Sequence, residues 1–187
     1  MMALFYLIRH GEPNYEAVSE IGFYGFGRSF APLSSRGIMQ AEATAEDSRL
    51  LDADIIVSSP YTRALQTAAI ISRKVNKPII IEPELHEWIA DRTNSLSTNS
   101  EAVELSKEFN DYKGVYPDSG EMRWETLESM RCRMRRVADK YAHYNKVIIV
   151  GHGMAFRTLT YIEKMAPAQL IECVYEKGQP DCEYSFY

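Results

Sequence analysis

Ala3-Leu4-Phe5-Tyr6-Leu7-Ile8 is an apolar run that is cut off abruptly by Arg9-His10-Gly11-Glu12-Pro13. A run this short and this apolar reads as a buried strand, and Pro13 ends any regular element. The strand therefore delivers an arginine, a histidine and a glycine to its C-terminal end. In an open parallel α/β sheet, ligands bind in the crevice at those ends. The same event recurs later: Lys146-Val147-Ile148-Ile149-Val150, the most strongly β-branched segment, runs straight into Gly151-His152-Gly153. Two of the four histidines thus stand at matching strand ends, each followed by a glycine, which lets the backbone turn tightly and approach a ligand closely.

Between these two points the chain alternates strand, loop and helix. Glu12 to Ala31 has no clean period and carries Gly22, Gly25 and Gly27 among five aromatic residues. It lacks the pattern of a phosphate loop, and it reads as a functional or surface loop. Ser34 or Ser35 caps a helix whose apolar positions Ile38, Ala41, Ala45 and Leu51 continue to Asp52. Ile55-Ile56-Val57 is a second strand. Ser59 as N-cap with Pro60 at the first helical position then predicts a helix through Lys74, with Arg63 in its first turn, where backbone N–H groups favour an anion. Pro78 to Ile81 is a third strand candidate. Glu82 to Asp91 follows it with four carboxylates, Glu82, Glu84, Glu87 and Asp91. Thr93 to Ser100 and Gly114 to Gly120 read as loops, Glu101 to Phe109 as a short helix, and Met122 to Tyr144 as the longest helix. Met154 to Met165 is expected to form a helix closed by Pro167, and Tyr184 to Tyr187 a short edge strand.

The residue types converge on one chemistry. The planar fork of an arginine pairs two donors with two phosphate oxygens, so two arginines hold a phosphate and offset charge developing during its transfer. A neutral imidazole has a free lone pair and is a competent nucleophile near neutral pH. A second histidine can donate a hydrogen bond to the transferring group. The leaving alkoxide needs a proton, and later a water must lose one. One carboxylic acid with a raised pKa serves both steps, and the Glu82 to Asp91 segment is the place to look for it.

Composition narrows the field. A chain of 187 residues is one domain, and its net charge of −5 argues against a general nucleic-acid binder. Four arginines between Arg131 and Arg136 are interleaved with acidic residues and read as a solvated helix face. Cys132, Cys173 and Cys182 cannot all pair within the chain and match no zinc spacing, so reduced thiols and a cytoplasmic protein are expected. No leader or membrane-spanning run is seen. Nothing in the pattern specifies an oligomeric state.

At these residues the sequence resembles the histidine phosphatase superfamily, the phosphoglycerate mutase-like proteins, in its branch 1 form. Leu7-Ile8-Arg9-His10-Gly11-Glu12 is similar to the family signature. Leu33-Ser34-Ser35-Arg36-Gly37 is similar to its helix entry, Ser58-Ser59-Pro60 through Arg63-Ala64-Leu65-Gln66-Thr67-Ala68 to its second block, Leu85-His86-Glu87 to the segment bearing the acid, and Val150-Gly151-His152-Gly153 to its last block. The resemblance implies a three-layer α/β/α sandwich with a mostly parallel central sheet. It implies one domain over residues 1–187 with a cap-like insertion around 87–120. His10 would be the phosphorylated nucleophile, and Arg9, Arg63 and His152 would complete the phosphate pocket. Gly153 would let the backbone approach the phosphate, and Asn14 would contact a phosphate oxygen, although Pro13 stands where the family has threonine or serine. Glu87 would be the general acid and base, with Glu84 as the alternative. Gly120-Glu121-Met122 is similar to a Gly-Glu-Ser element but lacks its serine. No metal and no cofactor are expected.

Three functions fit: a phosphatase for a small phosphomonoester, a phosphoglycerate mutase, and a non-catalytic phosphate-binding module. The family's true mutases are longer, with an insertion and a tail over the site, which favours the phosphatase. A degenerate binding module should have lost His10 or the acid. The aromatic residues of the Glu12 to Ala31 loop, with Trp88, point to a leaving group that is ring-bearing or apolar.

Overall fold

The computed structural model describes residues 2–117 and 122–186. Its elements in chain order are β1 (Met2–Arg9), α1 (Glu16–Ser19), α2 (Ser35–Ala45), β2 (Ile55–Ser58), α3 (Thr62–Val75), β3 (Ile79–Ile81), α4 (Asn99–Asp111), α5 (Leu127–Tyr141), β4 (Lys146–Gly151), α6 (Gly153–Phe156) and β5 (Leu170–Glu176). The five strands form one sheet in the order β3-β2-β4-β1-β5. The first four are mutually parallel, and β5 runs antiparallel to β1. The C-terminal ends of β1, β2, β3 and β4 therefore share one edge of the sheet, and β1 and β4 are neighbours there, with Arg9 opposite Gly151.

The period-2 geometry of a strand sends alternate side chains to opposite faces. Both faces are covered here, which explains why β1 and β4 read as continuous apolar runs. Phe5, Leu7, Val57, Val147 and Ile149 pack against Phe109, Met130, Met134 and Phe156 on one side. Tyr6, Ile8, Ile56, Ile148 and Val150 pack against Ala64, Ala68, Ile71 and Val75 of α3 on the other. The result is a helix, sheet, helix sandwich with a mostly parallel centre. Each fully buried Leu, Ile or Phe in these layers contributes about 1.5–3 kcal/mol. Among the described residues, no helix is long and apolar enough to cross a membrane.

Several element boundaries differ from the sequence expectation. The helix from Ser35 ends at Ala45, and a separate 3-10 turn at Ser48–Leu50 brings Leu50 into the core. Helix α3 begins at Thr62 rather than Pro60, with Tyr61 at its N-cap position. Helix α5 begins at Leu127, capped by the Thr126 side chain, so buried Trp124 belongs to the preceding segment. The expected helix from Met154 to Met165 is reduced to Gly153–Phe156. The expected edge strand at Tyr184 to Tyr187 is absent from its described part, residues 184–186; the edge is β5, whose exposed side carries charged residues. The Gly120-Glu121 pair of the Gly-Glu-Met element, and the end of the 114–120 loop, lie outside the described residues.

Candidate active site

Backbone pairing at the sheet edge brings the site together. The amide of His10 donates to Gly151 O at 3.0 Å, and the amide of Ser59 donates to Val150 O at 2.9 Å. The ends of β1, β4 and β2 are thereby locked side by side. The turn after β1 must also pass close to the start of α2. A Cβ on Gly11 would fall 2.4 Å from Gly37 O, and one on Gly37 would fall 2.1 Å from Glu12 O. Only glycine fits at these two positions, which is why the helix entry at Ser34 and the turn at His10 can pack backbone to backbone.

His10 and His152 are almost wholly buried, and their ring centroids lie 5.1 Å apart. Arg63, also buried, joins them. Its Nε donates to His10 Nε2 at 3.1 Å, its Nη2 lies 3.4 Å from His152 Nδ1, and its Nη1 donates to Arg28 O at 3.3 Å. A guanidinium has no acceptor and does not lose its protons, so His10 Nε2 holds a lone pair. The proton is on Nδ1, which donates to Gly11 O at 2.7 Å. Burial, and then the Arg63 charge, pushes the His10 pKa down to about 3. The same two causes hold His152 well below the usual histidine range. Both rings are therefore neutral near pH 7.

Ser59 supports the second ring, a role that its reading as a helix cap conceals. Its hydroxyl lies 2.8 Å from His152 Nε2 and accepts from the Tyr61 amide at 3.3 Å. A hydroxyl gives or takes a hydrogen bond, so His152 can present either a lone pair or an N–H at Nδ1. Arg9 lies against Gly153. Its Nη1 donates to Met165 O, and its buried Nε has no hydrogen-bond partner among the described residues.

A cavity of about 380 Å³ opens over this edge, lined in part by Tyr15, Arg28, Tyr61, Arg63, Glu87 and Trp88. The two imidazoles do not line it; they are joined to it through Arg63. Among the four carboxylates of the Glu82 to Asp91 segment, only Glu87 and Asp91 reach the cavity. Glu87 Oε1 accepts from the amides of Trp88 at 2.9 Å and Ala155 at 3.1 Å, and Oε2 from that of Met154 at 3.3 Å. These bonds pin it beside α6, next to His152. Glu82 is tied to Lys140 and Tyr141, and Glu84 to Arg136 on the surface. Asp91 is turned into its own loop, where burial opposes its charge but hydrogen bonds from Thr93 and Ser95 outweigh it and bring the carboxyl down to about 2. Asn14 does not line the cavity. Its Oδ1 instead accepts from the Ala17 amide at 3.2 Å, in the turn that leads into α1.

Among the described residues no group of three His, Cys, Asp or Glu side chains is arranged to hold a metal ion. What remains is a neutral imidazole with a fixed lone pair, a buried guanidinium touching it, and a carboxylate at the edge of the same opening. That set can accept a phosphoryl group.

Residues 5–176 match the model of the histidine phosphatase superfamily, branch 1. The chain belongs to this family. The chain is 31% identical over 157 residues to "Uncharacterized phosphatase PhoE" of Bacillus subtilis, covering 82% of this chain and 73% of that protein. It is 30% identical over 160 residues to "Probable phosphoglycerate mutase GpmB" of Photorhabdus laumondii, covering 82% and 71%. Its fold is similar to the crystal structure of phosphoglycerate mutase from Bacillus anthracis, with a TM-score of 0.69 at 17% identity, covering 95% of this chain and 89% of that one. These relatives are thus named as phosphatases or mutases.

Proposed function

We propose that this protein hydrolyses a small phosphomonoester through a phosphohistidine on His10. One observation carries the reading: Arg63 is buried, and the hydrogen bonds of its guanidinium among the described residues all go to neutral acceptors. A buried cation without a counter-ion is costly unless an anion completes it. The acceptor at Nε is the lone pair of His10 itself. An entering phosphate takes over the Arg63 donors and leaves that lone pair facing phosphorus. The orphaned Arg9 Nε and the N–H form of His152 supply further donors, and Gly153 keeps the α6 backbone close.

Nε2 of His10 then bonds to phosphorus as the bond to the ester oxygen breaks. Glu87, protonated for this step, gives its proton to that oxygen, and the alcohol leaves. The Glu87 carboxylate next takes a proton from water. The hydroxide attacks phosphorus, the N–P bond breaks, the electron pair returns to Nε2, and inorganic phosphate is released. Segment 87–120, which carries α4, acts as a cap over the leaving group; its residues 118–120 lie outside the described part.

The test is turnover of p-nitrophenyl phosphate in excess chelator by wild type, His10→Ala and Glu87→Gln. Metal-independent turnover is expected in the wild type and none in His10→Ala. Glu87→Gln should slow hydrolysis of an alkyl phosphate by about 10²–10⁴-fold while still binding inorganic phosphate. Equal turnover in wild type and His10→Ala overturns the proposal. Rapid transfer between phosphoglycerates without net hydrolysis would make the protein a mutase.

A further inference from the structure

Arg28 lines the same cavity as Arg63, but it takes no part in the chemistry derived above. We propose that it binds a second anionic group on the substrate, so that the preferred phosphomonoester has an apolar or aromatic leaving group bearing a carboxylate or another phosphate. The inference rests on the phosphate reading of this site and specifies what is attached to that phosphate.

Three observations support it. First, the position of Arg28 is built. Its guanidinium sits 3.9 Å over the Tyr15 ring, and its Nη1 donates to Asn99 Oδ1 at 2.7 Å in the first turn of α4. Its backbone oxygen accepts from Arg63. Stacking on a ring and one neutral hydrogen bond orient the guanidinium without neutralising it. Among the described residues, no carboxylate forms an ion pair with it.

Second, the carboxylates that share the cavity are already engaged. Asp91 accepts from the amides of Thr93, Ser95 and Leu96 and from two hydroxyls, and Glu87 accepts from three amides. Among the described residues, neither is ion-paired with Arg28. The lining thus presents two guanidinium groups to a ligand.

Third, the spacing and the walls define the rest of the molecule. Arg63 lies 5.8 Å from the centroid of the same Tyr15 ring, so the two guanidinium groups are within about 10 Å of each other. A phosphate on Arg63 and an anion on Arg28 are then joined by a short frame. That frame passes Phe26, Tyr61, Trp88 and Leu96, which favour an apolar or flat surface over a polyol.

The test is calorimetric binding of three non-hydrolysable probes, phenylphosphonate, 3-carboxyphenylphosphonate and 1,3-phenylenebisphosphonate, to wild type, Arg28→Met and Arg28→Lys. In the wild type the second anion should tighten binding by about tenfold or more, as a charge-assisted hydrogen bond does. Arg28→Met should bring the ratio to about one, and Arg28→Lys should retain part of it. The two probes with a second anionic group separate carboxylate from phosphate as that group. Binding of phenylphosphonate with no gain from either second anion, or a gain that survives in Arg28→Met, overturns this inference alone. Tighter binding of 3-phosphonopropionate than of 3-carboxyphenylphosphonate overturns the ring-bearing frame. Failure of all the phosphonates to bind overturns the phosphate reading and this inference with it.

Discussion

The burial of His10 makes a quantitative prediction about stability. Its pKa is pushed down to about 3 in the folded chain, by burial first and the Arg63 charge second. In the unfolded chain it returns to about 6.5. Between these values the unfolded state binds a proton that the folded state refuses. The stabilisation is therefore fully present above about pH 6.5 and is lost as pH falls from there toward about pH 3. Between pH 7.5 and 5.0 the unfolded imidazole becomes almost fully protonated while the folded one stays neutral, which removes about 2 kcal/mol of stability. Urea unfolding followed by circular dichroism at the two pH values, in phosphate-free buffer, measures this loss. Phosphate must be left out because an anion bound beside the ring would stabilise its protonated form. His10→Asn keeps a donor to Gly11 O but cannot titrate. Its drop in stability between pH 7.5 and 5.0 should be smaller than that of the wild type by about 2 kcal/mol. His152 is shifted in the same direction and remains in both proteins, so the difference isolates His10. An equal drop in both proteins would mean that His10 titrates normally when folded, and the argument for a permanently neutral nucleophile would fail.

Two further predictions concern the supports of the site. Arg133 and Glu125 form a buried pair at 2.6 and 2.9 Å; Arg133 Nη1 also donates to Glu84 O, and Trp88 Nε1 to Glu125 O, so the pair holds the backbone on both sides of Glu87. Arg133→Met leaves an uncompensated buried carboxylate and should cost about 3–5 kcal/mol in urea unfolding, with kcat falling more than KM rises; a loss under 1 kcal/mol would show that the pair does not clamp this segment. Gly37→Ala places a methyl group 2.1 Å from Glu12 O, and forcing that backbone apart should cost about 3 kcal/mol, at the top of the range for overpacking. Thermal unfolding reads this as a fall of several degrees, and an unchanged Tm would show that α2 and the His10 turn separate freely.

The parts of the fold that could be read from the sequence are those set by local chemistry. An apolar run and a β-branched run, each leading into His-Gly, locate the sheet edge, because a strand buried on both faces has few polar positions until it leaves the sheet. Ser34 caps α2 as its sequence suggests, accepting from the Gly37 amide at 3.0 Å. What could not be read depends on contacts distant in sequence. Strand β5 alternates exposed and buried residues only in its second half, and its pairing with β1 spans most of the chain. The apolar residues after Phe156 keep a helical spacing, yet Leu159, Ile162 and Met165 are buried from a non-helical path. Burial alone set that pattern, and periodicity could not distinguish the two.

The site shows the same division, and Ser59 illustrates it most clearly. Ser-Pro after a strand is a sound helix-start signal, and it misplaces the helix by two residues. The Ser59 hydroxyl accepts from the Tyr61 amide and is also bonded to Nε2 of a buried histidine 93 positions away. Helix α3 begins without a side-chain cap, forgoing about 1 kcal/mol, while leaving that imidazole nitrogen unpaired in the interior would cost about 1–3 kcal/mol. In the sequence the two uses look identical, because the preference for a cap is local and the demand of His152 exists only once β2 and β4 lie side by side. Arg28 is hidden for a related reason: a lone arginine in an aperiodic loop has no pattern, and its standing as a cavity residue comes from Tyr15 beneath it and Asn99 beside it. A local rule that fails next to a buried polar group is therefore a useful pointer to function: here it leads to the residue whose hydroxyl is bonded to Nε2 of His152.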